Sequence, residues 1–474
     1  MPAGVSRWWA PAYGAVLVLA LTWPFFVPGE AFALRDMMVF DAMALTRASL
    51  GWGDLPARNV PQDALLGILP WPVLFVRVFM VAAAAGAAWA GHRLGRTPLG
   101  QAAAMTVAVW NPFVVERLLQ GQWSLAAAAW LLPLVALGVH PVSTLAHWLA
   151  SLTPTGALAA AMFARGWRSL TVAVLTCLPW VVAGFAASSP GTSSVAGAAA
   201  FAPRAEGHVG TLGALLGLGG IWNGQAVPPS RAAGWALCGI ALFALLALGW
   251  RAVPRRWLAL AGVGFALAVA SWAGLTAPIV AHVPGAGLLR DGQKWLILAI
   301  PAFVAAAGAL EPRRALAAAA FAVLQVPDAP VALAALTPTT VDVPAVDHRG
   351  RDVVFESRPT LTTIDGHPVV DPAPKAMNVV ESGALTVDGV PVDAPSPRWV
   401  AAQAAISDPV RLRELGIGVV VRADGTVMES GAPPRPLPPA GIALFALWCM
   451  VPLITCVRGH TRIKSAAEQQ VYPT

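Results

Sequence analysis

Long apolar runs separated by short arginine-bearing loops fill the first 335 residues, beginning with a run at 10–27. Runs of about 18 to 20 residues match the length needed to cross a bilayer, so the pattern predicts roughly eleven membrane segments. Two stretches are interrupted, 99–122 by Asn111-Pro112 and 142–165 by Ser-Leu-Thr-Pro-Thr-Gly at 151–156. Irregular backbone at membrane depth is tolerated only inside protein or beside a wet cavity. Both stretches therefore predict broken or re-entrant helices that could border a site.

The positions of the basic residues predict an orientation. Short loops hold Arg93 and Arg96, Arg165 and Arg168, Arg251, Arg255 and Arg256, and Arg313 and Arg314, while Arg7 precedes the first run and Arg458, Arg462 and Lys464 follow the last. Because positive residues are retained inside, both termini of this plasma-membrane protein are expected in the cytoplasm. The segments 28–73, 189–230, 274–292 and 336–437 then lie outside. Ala31-Phe32-Ala33 has the form of a signal-peptidase site, but the long run before it favours an uncleaved anchor.

The composition changes near Thr337, where Pro, Asp and Val replace an Ala/Leu background. Strand-like runs at 352–355, 368–370 and 416–422 alternate with Asp-Gly turns at 365, 388 and 424, and 400–415 is typical of a helix. We expect an all-α polytopic membrane fold with a small extracytoplasmic α+β module. The predicted division is a transmembrane core at 1–335, the module at 336–437, a final transmembrane helix at 438–457 and a cytoplasmic tail at 458–474.

Composition excludes several classes of protein. Hydrophobic residues make up 57% of the 474 residues and charged residues 12%, against about 25% charged residues in a typical soluble domain. The net charge of +7 does not indicate a nucleic-acid partner, because the arginines flank apolar segments instead of clustering among aromatic residues. Cys177, Cys238, Cys449 and Cys456 all lie in apolar segments, which argues against a zinc cluster or disulfide framework. We expect no metal and no other cofactor.

Two acids follow the first apolar run, in Arg35-Asp36-Met-Met-Val-Phe-Asp41. Ionisable residues at a membrane cavity are functional candidates by default, so Asp36 and Asp41 are the candidate catalytic residues. On a single helix, acids five residues apart would point in different directions. The alternative is that each carboxylate is solvated at the headgroups or pairs with a nearby arginine.

A second group of polar residues lies in the apolar run at 110–123, where Glu116, Arg117, Gln120 and Gln122 stand between two tryptophans. Arg117 could meet a lipid-linked phosphate, because a guanidinium matches phosphate geometry. Glu116, Gln120 and Gln122 would hold that arginine or contact sugar hydroxyls. The alternative is a local Glu116–Arg117 ion pair with no further role.

A third group is Leu-Leu-Arg-Asp-Gly-Gln-Lys-Trp at 288–295, at the predicted outer end of an apolar run. Arg290 and Lys294 at a helix N-terminus favour an anion such as a phosphate, with Asp291 between them. The alternative is that both cations snorkel to lipid headgroups. His208 and His282, in predicted outer loops, are weaker candidates for lining the same site.

These motifs resemble a group of actinobacterial polytopic membrane proteins. The resemblance covers Asp36-Met-Met-Val-Phe40, the run at 110–123, Thr-Pro-Thr-Gly at 153–156, the run at 288–295 and Leu-Arg-Glu-Leu-Gly-Ile-Gly-Val-Val-Val at 412–421. That group in turn is similar to the GT-C glycosyltransferases, which use polyprenyl-phosphate sugars outside the membrane and carry a catalytic acid in the first outer loop. Asp36 matches that position. The paired Asp-x-Asp or Glu-x-Asp of many GT-C enzymes is absent.

The resemblance implies transfer of arabinofuranose or mannose from a polyprenyl-phosphate donor to a cell-envelope glycan or lipoglycan, with Asp36 as general base. The other expected partners are membrane lipids and an envelope-assembly protein at 336–437. One alternative is a scaffold or lipid-carrier translocase that binds lipid phosphate without catalysis. A secondary transporter is a third alternative, and the lack of an internal repeat argues against it.

Overall fold

The computed structural model describes residues 8–186 and 194–456, and most of them are helical. Within these ranges, five helices are long and apolar enough to cross a membrane: Trp9–Phe26, Pro72–Leu94, Pro98–Leu119, Gly166–Ala186 and Pro312–Leu336. Shorter apolar helices accompany them. The fold is consistent with the predicted helical membrane protein, and the total of eleven segments stays a prediction. The predicted tail at 458–474 lies outside the described residues.

Helices α1 to α17 precede residue 336. They are α1 Trp9–Thr22, α2 Gln62–Ile68, α3 Pro72–Leu94, α4 Pro98–Val109, α5 Pro112–Leu119, α6 Trp123–Leu137, α7 Val142–Ala150, α8 Pro154–Phe163, α9 Gly166–Ala186, α10 Val195–Ala200, α11 Gly210–Leu216, α12 Leu237–Gly249, α13 Arg255–Trp272, α14 Ala277–His282, α15 Ile300–Gly308, α16 Pro312–Leu324 and α17 Ala329–Ala332. A 3₁₀ helix, Gln293–Ala299, leads directly into α15.

Two strands lie near the N-terminus, β1 Ala31–Leu34 and β2 Met37–Phe40. The other described strands and helices follow residue 336: β3 Val353–Phe355, β4 Leu361–Ile364, β5 His367–Val370, α18 Ala373–Ala376, β6 Leu385–Val387, β7 Val390–Asp393, α19 Pro397–Ala404, α20 Pro409–Glu414, β8 Val419–Val421, β9 Val427–Glu429 and α21 Pro439–Cys456. We call residues 336–437 the C-terminal segment.

Burial separates central from peripheral helices. In the stretch Pro98–Leu119, 94% of the residues of the apolar window are buried, whereas the share is only 28% in Gly166–Ala186, which exposes Phe185 and Val174. An apolar helix with so few buried residues needs an apolar solvent, which a bilayer supplies. In the centre, α3 lies against α4 at Gly91, where an added Cβ would stand 2.7 Å from the Ala104 oxygen. Small residues at such contacts let helix backbones approach closely.

Both predicted helix breaks are present. At the first, Asn111 caps α5 by accepting a hydrogen bond from the Val114 amide at 3.0 Å, and its side-chain amide donates to the Val107 oxygen at 3.1 Å. Pro112 occupies the first turn of α5, where its missing N–H costs no helical hydrogen bond. At the second, α7 ends at Ala150 and α8 begins at Pro154.

The segment that carries Asp36 forms a β-hairpin. β1 and β2 pair antiparallel with Leu34 opposite Met37, so Arg35 and Asp36 form a two-residue turn and Arg35 adopts a left-handed φ of 49°. Asp41 follows the far end of β2. The four residues of β2 place the two acids five steps apart, or roughly 17 Å at about 3.4 Å per residue. Asp36 and Asp41 therefore do not share one site.

The C-terminal segment contains a three-stranded sheet in the order β3-β8-β9, with β3 and β8 parallel, and the hairpins β4-β5 and β6-β7. The strand predictions at 352–355, 368–370 and 416–422 are confirmed by β3, β5 and β8. The single helix predicted at 400–415 is wrong. The chain forms α19 and α20, and Asp408 caps the second. Pro409 explains the break, because it disfavours helical backbone at the preceding residue.

Candidate functional site

Asp36 presents an exposed carboxylate that two glutamines hold in place. Its Oδ2 accepts hydrogen bonds from the Gln122 amide at 3.0 Å and the Gln120 amide at 3.3 Å. The Asp36 backbone N–H also donates to the Gln120 carbonyl oxygen at 3.1 Å. The carboxylate is therefore oriented by neutral donors and keeps an accessible edge, which leaves it able to accept a proton.

The hairpin reaches the end of α5 because Gly121 carries no side chain. A Cβ on Gly121 would lie 2.1 Å from the Leu34 oxygen and 2.8 Å from the Asp36 nitrogen, and its φ is +81°. Both the close backbone approach and the left-handed φ require glycine. The buried guanidinium of Arg35 secures the contact from the hairpin side by donating to the carbonyl oxygens of Leu119 and Gln225.

Arg117 lies beneath these glutamines with no exposed surface. It forms a bidentate ion pair with Asp291, in which the Nη2–Oδ1 distance is 3.0 Å, and it donates to Gln122 Oε1 at 2.6 Å and to Gln293 Oε1. A bidentate Arg–carboxylate pair fixes geometry as well as charge. The structure therefore places Arg117 where it orients Gln122, and it leaves no path for direct contact between Arg117 and a bound phosphate.

One chain of hydrogen bonds runs from Asp36 through Gln122 and Arg117 to Asp291. It ends at Lys294, whose backbone N–H donates to Asp291 at 3.4 Å. The Lys294 ammonium lies 5.7 Å from the centre of the Trp295 ring and, within the described residues, makes neither a hydrogen bond nor an ion pair closer than 4 Å. The network therefore holds the candidate base and, through its backbone, Lys294, which is only 9% exposed.

Glu116 belongs to a buried cluster that Gln293 links to Arg117, because the Gln293 amide donates to Glu116 Oε2 at 3.4 Å and Gln293 Oε1 accepts from Arg117. Glu116 Oε1 lies 3.4 Å from Arg231 Nε, which is also 2.5 Å from Glu206 Oε2, and all three side chains are at most 2% exposed. Its other oxygen accepts from the Ile221 amide at 3.1 Å. This cluster fixes the loop at 217–225 against α5, so Glu116 supports the site from below without reaching its surface.

Sequence reasoning missed several residues of the site: Glu206, Asn223, Arg231 and Gln293. Asn223 donates to Gln120 Oε1 at 2.7 Å, and Gln293 accepts from Arg117 while it donates to the Leu218 oxygen at 3.2 Å. Glu206 and Arg231 carried one usable signal, since ionisable residues bordering apolar runs are candidates by default. Asn223 and Gln293 carried no such signal, because their hydrogen-bond partners are distant in sequence.

Four of the predicted residues lie outside the Asp36 network. Asp41 accepts a hydrogen bond from the Val73 amide at 3.1 Å, so it satisfies the N-terminus of α3. Arg290 pairs with Asp393 of β7 at 2.7 Å and stacks on Phe201 at 4.0 Å. Among described contacts, His282 bonds only the Pro278 oxygen of its own helix, and His208 is exposed beside Gly234.

Electrostatics keep Asp291 ionised. Burial acts to raise the pKa of Asp291, but the adjacent Arg117 guanidinium outweighs it and the pKa lies below its ordinary value. Burial lowers the pKa of Arg290, and Arg58 acts in the same direction while Asp393 opposes it. Within residues 8–186 and 194–456, no three His, Cys, Asp or Glu side chains are close enough together to hold a metal ion.

Comparison with known proteins assigns no family. No protein-family model matches this chain. No curated protein and no solved structure matches it either. The account of the site therefore depends on the geometry described above.

Proposed function

We propose that this chain is a membrane glycosyltransferase that moves a sugar, arabinofuranose or mannose, from a polyprenyl-phosphate donor to a cell-envelope glycan or lipoglycan. The observation that carries the proposal is the exposed Asp36 carboxylate, held by Gln120 and Gln122 and connected through Arg117 and Asp291 to the backbone of Lys294. The proposed topology is multi-pass, with both termini in the cytoplasm and the hairpin at 31–40 outside.

In the proposed reaction, Asp36 accepts the proton of an acceptor hydroxyl while that oxygen attacks the anomeric carbon. The bond between that carbon and the phosphate oxygen breaks, its electron pair leaves with the polyprenyl phosphate, and the configuration inverts. The departing phosphate needs a cation and no proton, because its oxygen is already weakly basic. Lys294 fills that role.

The other residues have supporting roles in the proposal. Arg117 holds Gln122, and Asp291 holds Arg117, so both residues position Asp36 without touching the substrate. Because the hydrogen-bond donors that hold the Asp36 carboxylate are themselves fixed, the carboxylate loses little conformational freedom when the acceptor binds. Arg290 joins the core to the C-terminal segment through Asp393.

The test is reconstitution of the purified full chain in proteoliposomes with radiolabelled decaprenyl-phosphate arabinose or decaprenyl-phosphate mannose and a glycan acceptor. We expect labelled glycan to form with one donor and released polyprenyl phosphate to accumulate in equal amount. If neither donor gave product while cells lacking the chain still failed to assemble envelope glycan, the scaffold or translocase alternative would replace the enzyme.

A further inference from the structure

A polar cavity of about 460 Å³ lies between the first loop and the C-terminal segment. This volume falls within the roughly 300–1,000 Å³ of small-molecule sites. Arg47, Trp52 and Asp54 line it from the loop, and Asp352, Arg398 and Arg435 line it from the C-terminal segment. It is distinct from the Asp36 network, because none of the residues of that network lines it.

Cations and carboxylates alternate around this cavity. Arg398 lies 2.6 Å from Asp352 and 3.4 Å from Asp54, and Arg435 lies 3.0 Å from Asp352. Arg47 pairs with no carboxylate among the described residues, and its guanidinium donates to the Pro436 oxygen at 2.5 Å. The walls therefore combine strong donors and strong acceptors in one space.

The wall of this cavity contains buried carboxyl groups. Asp352 is 2% exposed, and its Oδ1, which has almost no accessible surface, makes no hydrogen bond within the part of the chain that the structure describes. Burial also raises the pKa of the lining residue Glu381 to about 7, so this carboxyl is partly protonated near neutral pH and can then donate as well as accept.

We propose that this cavity binds a neutral oligosaccharide, and that it holds the acceptor chain of the transfer reaction. The inference rests on the proposed function for that second part. An anion would meet the carboxylates of Asp54 and Asp352, and a cation would meet three guanidinium groups. Sugar hydroxyls donate and accept at once, so they match alternating walls, and Trp52 supplies an apolar surface for a sugar ring.

The position of the cavity fits this assignment. The loop that contributes Arg47 and Trp52 continues from the hairpin that carries Asp36, and that hairpin contacts the C-terminal segment through hydrogen bonds of Arg35 with Pro368 and Val370. The cavity and the Asp36 hairpin are therefore joined to the same C-terminal segment.

The test is calorimetric titration of the full chain in nanodiscs, without donor, with α-1,6-linked mannohexaose and α-1,5-linked arabinofuranohexaose. We expect one saccharide to bind. Arg47→Gln should weaken it by at least about tenfold, because a charge-assisted hydrogen bond is lost. Arg349→Gln is the matched control, since Arg349 is exposed, pairs with Asp347 and does not line the cavity. Ala48→Leu fills the cavity without removing a charge. If Arg47→Gln misfolds, loss of saccharide binding in Ala48→Leu tests the cavity instead.

The result separates this inference from the proposed function. Saccharide binding that persists in Asp36→Asn and is lost in Arg47→Gln supports the cavity even if no transfer is ever detected. Absence of binding by both saccharides, or equal binding by wild type, Arg47→Gln and Ala48→Leu, overturns it. In that case, if Arg47→Gln still catalysed transfer with an unchanged acceptor KM, the proposed glycosyltransferase activity would remain supported without the cavity.

Discussion

The two helix breaks begin alike and differ in the side chains that come after them. In each, proline occupies the first turn of the new helix, Pro112 in α5 and Pro154 in α8. The first break leads into Glu116 and Arg117 and supports the Asp36 hairpin. The second leads into a helix with no charged side chain, and nearby Ser151 accepts from the Trp448 indole at 2.8 Å.

This difference distinguishes a functional site from a helix-packing contact. A break shows where the backbone leaves one helix, but the charged and amide side chains after it decide whether chemistry is available. At the first break, Gln120 and Gln122 bind the Asp36 carboxylate, and Asn223 and Asp291 from two other segments bind Gln120 and Arg117. At the second, the Trp148 and Trp448 rings lie 4.7 Å apart with a 33° tilt, and this contact holds α7 against α21. The first break should govern transfer, and the second should govern stability alone.

The largest expected effect is on Asp36. Asp36→Asn keeps the shape but cannot accept the proton, so kcat at saturating donor should fall by roughly 10²–10⁴-fold. Asp41→Asn is the matched control, because Asp41 is the other exposed acid of the same hairpin and only caps α3. Initial rates of labelled transfer in the purified variants measure this. Equal activity in the two variants would remove the distinction between the hairpin ends.

Arg117 comes next. Arg117→Met leaves the Asp291 carboxylate, which is only 13% exposed, without its partner, and this should cost about 3–5 kcal/mol of unfolding free energy as well as activity. The double variant Arg117→Met with Asp291→Met removes both charges, so it should recover stability without recovering transfer, because Gln122 stays unanchored. Thermal unfolding and transfer rates of both variants test this. Recovery of both properties would mean that Arg117 only stabilises the fold.

The second break should respond differently. Ser151→Ala leaves the buried Trp448 N–H without its acceptor and should cost about 1–3 kcal/mol of stability, while kcat stays at the wild-type value. Trp448→Phe removes the donor, so adding Ser151→Ala to it should cost less, namely only the hydrogen bond from Ser151 to the Trp148 oxygen. Unfolding in mild detergent compares the variants. A drop in kcat for stably folded Ser151→Ala would show that both breaks serve the site.

Of the two helix breaks, only the first should lose stabilising interactions in acid. The pKa of Asp291 is lowered in the folded protein, so its ion pair contributes stability above the ordinary aspartate pKa and loses it as the pH falls through the lowered value. Wild type should therefore lose more unfolding free energy than the Arg117→Met, Asp291→Met double variant between about pH 5 and pH 3. This range extends about one unit on each side of the ordinary aspartate pKa. Parallel losses in the two proteins would contradict this.

The sequence predicted the two breaks and several residues of the site because local signals sufficed. Asn111-Pro112 is a helix stop and restart, and the polar residues after it stand out against an apolar background. The hairpin at 31–40 was missed because each strand is a four-residue apolar run, which periodicity cannot distinguish from helix. The Asp408-Pro409 signal that divides α19 from α20 was present and was overlooked.

Pairing over long separations could not be predicted from sequence. The partner of Arg117 is Asp291, 174 residues away, and the partner of Arg290 is Asp393, 103 residues away. These pairs reassign both arginines from phosphate contacts to positioning and docking. Among the three predicted cations, Lys294 is the one whose charged group makes no hydrogen bond or ion pair within the described residues, and it is 9% exposed.

The most direct test of Asp36 as the general base is chemical rescue of Asp36→Gly by formate. The glycine variant leaves space beside Gln120 and Gln122 for a small carboxylate that can take the acceptor proton. We predict that transfer by Asp36→Gly rises with formate concentration, while Asp41→Gly stays near the wild-type rate and does not respond. Wild-type transfer by Asp36→Gly without formate, or an equal response in both variants, would contradict the account.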